Sequence, residues 1–177
     1  MSYKRWIFVA TFLFSSGLVL GLVTSTGTTT IPLPEELIGI LAPFKASTVI
    51  FIFVKNASAL LISFILSPIF CIVPILALTV NGWLIAFVSA AVIREESLGY
   101  VLVGLLPHGI FELPALILAQ AAALSFGTAA ILALFRKERA NLLLPSLRQN
   151  LKYLLVAFTL LLPAAIIETY VTPLLLR

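Results

Sequence analysis

The 177-residue sequence contains no aspartate, one histidine and one cysteine, and only 10% of its residues are charged. Each shortage closes off a class of function. A single cysteine, Cys71, excludes an intrachain disulfide and any cysteine-rich metal centre. It lies in an apolar run and reads as inert packing. A single histidine, His108, excludes the H-E-x-x-H zinc motif and the intramembrane proteases that pair two glutamates with separate histidines. Without aspartate there is no Ser-His-Asp triad, and G-x-S-x-G, P-loop and G-x-G-x-x-G patterns are missing too. Scarce charge is the most informative absence. A soluble domain is roughly a quarter charged, and this chain has too few polar residues to cover a surface facing water.

What is present points to a membrane. Hydrophobic residues make up 62% of the chain, and the mean hydropathy is +1.19. The apolar stretches run without the alternating polarity of a β-barrel, so the expected class is an all-α, polytopic integral membrane bundle, one transmembrane domain over 1–177, surrounded by the lipid bilayer. The net charge of +4, from 11 basic residues and 7 glutamates, reports topology in such a chain. No basic stripe interleaved with aromatics offers a nucleic-acid surface.

Five crossings are expected. The stretch 4–23 follows Lys4 and Arg5 and lacks an A-x-A cleavage site in the "TSTGTTT" beyond it, so it reads as a retained first helix. Pro34, Glu35 and Glu36 open a short interfacial helix whose Leu37, Ile38, Leu41 and Phe44 share a face. From about 47 to 93 the chain is long enough for a hairpin of two helices turning in "SPIFCIVP". The next run, between Glu96 and Arg136, also exceeds one crossing. Lys4 and Arg5 belong on the same cytoplasmic side as Arg136, Lys137, Arg139, Arg148 and Lys152, so that run must add one crossing, with its surplus in a re-entrant or broken segment at 107–114. A final helix over about 150–172 leaves the C-terminus outside the cell membrane.

Ionisable groups at membrane depth cost about 2.5–3.5 kcal/mol on insertion scales and need a partner or a purpose. The candidates are Lys55, Asn56, Asn81, His108, Glu112 and Glu168. "LLPHGIFELPAL" carries the strongest claim. His108 and Glu112 stand one helical turn apart, about 6 Å, and Pro107, Gly109 and Pro114 mark the structural break around them. Pinning a broken helix, holding an ion or proton, and catalysis are the competing roles. No cofactor is called for, although a divalent metal at His108 and Glu112 is compatible with the residue types. Lys55 either snorkels to the interface or pairs with Glu112 or Glu168. Small residues provide the packing surfaces: Gly17 and Gly21 as G-x-x-x-G, Gly82 beside Asn81, and Ala119, Ala123 and Gly127 as a stripe within or between chains, with Gln120 able to bond across it.

"NGWLIAFV" followed by "LLPHGIFELPALILAQAAALSFG", with "IFVKN" upstream, resembles the stage II sporulation protein M family of integral membrane proteins. The resemblance covers about 46–135 and carries over Asn56, Asn81, Gly82, Pro107, His108, Gly109, Glu112, Pro114 and Ala115. Gln120-Ala121-Ala122-Ala123 departs from it where relatives tend to have glycine beside alanine. It implies a compact membrane protein that anchors partners; in spore formers the namesake anchors the peptidoglycan-degrading sporulation proteins D and P. The leading expectation is therefore a non-enzymatic scaffold or anchor for a membrane or cell-envelope complex, homo-oligomeric and preferentially a homodimer. The alternatives are a small oligomeric permease or channel using His108 and Glu112, and an intramembrane metal-dependent hydrolase.

Overall fold

The structure, a computed structural model, describes residues 3–26, 44–136 and 141–176. Five long helices carry the fold: α1 (Tyr3–Ser25), α2 (Ala46–Leu66), α3 (Ile72–Glu95), α4 (Leu98–Phe135) and α5 (Leu143–Tyr170), followed by the short α6 (Thr172–Leu175). Each of the five is long and apolar enough to cross a membrane. The residues expected to form an interfacial helix at 34–44 lie outside the described residues except for Phe44.

Contacts between helices fix the direction of each one. Gly17 faces Thr79 and Gly21 faces Trp83 and Ala86, so α1 and α3 run parallel. Asn56 meets Glu112, Ser63 meets Gln120 and Ser67 meets Gly127, so α2 and α4 also run parallel. α5 returns against α4: Tyr153, near its start, stacks on Tyr3, whose hydroxyl donates to the Leu118 carbonyl at 2.8 Å. The five helices thus alternate in direction. Lys4 and Arg5 emerge at the same end of the bundle as Arg136, Arg148 and Lys152, the pairing that the charge pattern demanded.

α4 is the central element. One face, Ala115, Ala119, Ala122 and Ala123, packs on Leu60 and Phe64 of α2 and on Leu154, Ala157 and Leu161 of α5. The other, Ala121 and Leu124, packs on Ala10 and Phe14 of α1 and Leu78 of α3. A helix enclosed on both sides needs small side chains on both sides, which explains the alanine run. Dispersion between closely spaced backbones holds the layers, since lipid offers no hydrophobic drive for helices to associate.

The expected re-entrant break is corrected. α4 is one helix of 38 residues with Pro107 and Pro114 inside it. At 1.5 Å per residue it is about 57 Å long, nearly twice a bilayer core of about 30 Å. Proline removes the bonds to the carbonyls of Val103 and Ile110 without ending the helix, because neighbouring helices and local adjustment make such a defect tolerable at depth. Near its start Gly104 approaches Leu176 beyond α6, while Leu134 and Phe135 are exposed at the other end. Gly109 makes no close approach and takes no unusual φ. Nothing lies within 4 Å of a Cβ built there, and no glycine among the described residues has a positive φ.

The α2–α3 turn falls within the segment expected for it. Phe70 and Cys71 both adopt the left-handed region, at φ 49° and 56°. Such residues cost of order 1–3 kcal/mol each and persist where packing fixes them. Here the Cys71 thiol contacts the Leu124 carbonyl and the Thr128 hydroxyl, both at 3.8 Å. The last long helix starts at Leu143, earlier than the hydropathy alone placed it.

Candidate functional site

Three helices converge on one polar cluster. His108 and Glu112 project from the same face of α4, with Nε2 and Oε2 3.9 Å apart. α5, running the other way, brings Glu168 alongside. One ligand atom from each of His108, Glu112 and Glu168 lies within 4.8 Å of the others. From α2, Asn56 donates Nδ2 to Glu112 Oε1 at 3.3 Å. The Lys55 ammonium, one residue earlier, is exposed but within electrostatic reach of both carboxylates.

The cluster is half-shielded: the His108 side chain is 15% exposed and that of Glu112 34%. It is also poorly satisfied. His108 Nδ1 is buried without a hydrogen-bond partner among the described residues. The 3.9 Å contact between His108 and Glu112 is too long for a hydrogen bond. A pairwise network would have drawn these groups together. Their ligand atoms stand within 4.8 Å of one another instead.

Four of the six expected polar residues therefore meet, Lys55 stays exposed within electrostatic reach, and Asn81 does not join them. It sits on α3, exposed, and donates to the Ala77 carbonyl of its own helix at 2.6 Å. Glu168, which had no motif around it, is brought into the centre by the antiparallel return of α5. Only tertiary structure could reveal that.

Toward the opposite end lies a feature that the sequence reading missed. A cavity of about 350 Å³ is lined by Tyr3, Trp6, Ser125, Thr128, Gln149 and Asn150, among others. Asn150 donates to the Ser146 carbonyl at 2.9 Å and to its hydroxyl at 3.2 Å, which fixes its amide. The signal for this cavity was the polar spacing of Ser125 and Thr128 within an apolar helix. Between the two ends, residues 119–123 of α4 are at most 1% exposed. Within them Gln120 accepts a 2.6 Å hydrogen bond from Ser63, the cross-helix bond that its position allowed.

The expected small-residue surfaces are spent inside the chain. A Cβ at Gly17 would collide with the Thr79 carbonyl, one at Gly82 with the Phe14 carbonyl and one at Gly127 with the Ser67 carbonyl. These stripes close α1 on α3 and α4 on the α2–α3 turn.

Fold and site together define a multi-pass α-helical membrane protein with a His–Glu–Glu cluster spanning two of its helices. The family model for stage II sporulation protein M matches residues 10–173. The chain belongs to that family. An uncharacterized protein of Methanocaldococcus jannaschii is similar to it, 30% identical over 94 residues, which are 52% of this chain and 53% of the relative. The chain thus matches about half the length of that curated relative. No solved structure matches.

Proposed function

We propose that the chain is a non-enzymatic membrane scaffold that anchors a membrane or cell-envelope complex. The observation that carries this reading is the closed middle of the bundle. Polar groups at the His108 end and at the Asn150 end are separated by the band at 119–123, at most 1% exposed. Between helices Asn56 bonds to Glu112 and Ser63 to Gln120, which ties the frame together and, among the described residues, lines no route across it.

In this reading the N-terminus and the basic loop lie in the cytoplasm and the C-terminus lies outside. The His–Glu–Glu cluster then sits toward the outer face. Partners dock on the outward apolar faces of α1 and α2, where Phe8, Phe12, Ile50 and Ile62 are exposed. A second copy of the chain would use the same faces, because the glycine stripes are already occupied.

Two measurements on the full chain test the proposal. Reconstituted into liposomes, it should pass neither protons nor monovalent ions above the leak of empty vesicles. Crosslinked in native membranes, it should migrate in an assembly containing a different membrane or envelope protein. Flux that disappears in Glu112→Gln, with the chain migrating only alone or with itself, would replace the scaffold by a permease.

A further inference from the structure

The polar cluster has more donor atoms than bonds. Glu112 takes one hydrogen bond, from Asn56. Glu168 makes no hydrogen bond or close ion pair among the described residues, although Lys55 acts on it at longer range. His108 has one nitrogen buried and unpartnered and the other 3.9 Å from a carboxylate. Two acids facing each other at partial burial repel, and burial makes both the charge and the empty donors expensive. An arrangement of this kind is explained by something held between the groups.

We propose that His108, Glu112 and Glu168 bind one divalent first-row transition-metal ion, which ties α4 to α5. The donor set selects the class. One imidazole nitrogen and two carboxylate oxygens suit Zn²⁺ or Mn²⁺, whereas Ca²⁺ and Mg²⁺ favour all-oxygen shells and Cu⁺ favours sulfur. The charge also fits, since a divalent ion neutralises both glutamates at once. So does the distance. Bonds of roughly 2.0–2.2 Å put ligand atoms about 3.4 Å apart in a tetrahedral shell. The three atoms, within 4.8 Å of one another, need only rotamer-scale movement to reach that. His108 and Glu112 are preset by their i, i+4 spacing on one helix, and Asn56 holds Glu112 from the side in the manner of an outer-shell partner. Water completes the shell. The site does not depend on the anchoring role: it would hold equally in a scaffold or in a permease.

The experiment uses the full chain, purified in detergent and stripped with a chelator. Equilibrium dialysis against Zn²⁺ and Mn²⁺ should give one ion per chain, with Ca²⁺ and Mg²⁺ unable to displace it at equal concentration. His108→Ala and Glu168→Gln should each weaken binding at least tenfold while eluting as the wild type does. X-ray absorption of the zinc-loaded wild type should show a nitrogen and oxygen shell, a readout that needs no variant to fold. Absence of stoichiometric binding would overturn the proposal and leave a proton shared between the two glutamates as the explanation. A shell containing sulfur would overturn it too, because it would move the ion to Cys71.

Discussion

Ser63 and Gln120 show how one side chain acts as a fastener inside an apolar layer. Both are 1% exposed, and the hydroxyl donates to the amide oxygen at 2.6 Å. Removing the donor alone strands a buried acceptor, which costs about 1–3 kcal/mol. Ser63→Ala should therefore lower the thermal midpoint of the purified chain, and adding Gln120→Leu should restore part of the loss. Equal or greater loss in the double variant would show that the pair's packing, rather than its hydrogen bond, matters. Cys71 makes a second case. Burial pushes its thiol above the ordinary cysteine range, and the bond with Thr128 offsets that only in part. A raised value means less thiolate at any given pH, so alkylation of the folded chain at pH 7 should be much slower than after denaturation. It should also accelerate with pH later than it does for an exposed thiol. Fast labelling at pH 7 would place Cys71 on an accessible surface.

At the scale of the helix, glycine is decisive in some places and incidental in others. Gly17 and Gly82 let α1 and α3 touch backbone to backbone, and a Cβ at either would enter a carbonyl oxygen. Gly17→Ala and Gly82→Ala should each destabilise by about 1–3 kcal/mol, as overpacking does. Gly109 meets nothing within 4 Å. Gly109→Ala should be neutral or stabilising by up to about 1 kcal/mol, because alanine favours helix. Unfolding titrations of the three variants in mixed micelles would separate the two groups; equal losses would refute the distinction. The same comparison shows what could be read from the sequence. Small residues four apart announced close packing, and long apolar runs announced the helices. Which helix packs on which was not legible, since glycine specifies nearness without naming a neighbour. Nor was the continuity of α4. Two prolines seven apart signal a break locally, and only the neighbours packed around α4 decide whether the helix survives them.

For the whole molecule, the charge pattern carried the parity of the helices. Lys4 and Arg5 emerge with Arg148 and Lys152, as five alternating helices require. Asn141→Cys in a Cys71→Ala background should be labelled by an impermeant maleimide only when the cytoplasmic face is opened. Labelling of intact cells would invert the bundle. The polar centre was legible in half. His108 and Glu112 stand out by their spacing, whereas Glu168 becomes their companion only through the antiparallel return of α5.

The pairing of α1 with α3 also has a consequence in time. These helices are parallel and separated in sequence by α2, so α1 enters the bilayer well before its contact surface exists. Its glycines must stay uncovered among lipids until residues 79–87 are synthesised and inserted. During that interval, another chain's completed α3 presents the same fit. Assembly is thus a race between closure within one chain and exchange between two. Slow elongation or a stalled ribosome in the α2–α3 region should tilt it toward swapped dimers, whose helices pair as in the monomer and whose ancestry alone differs.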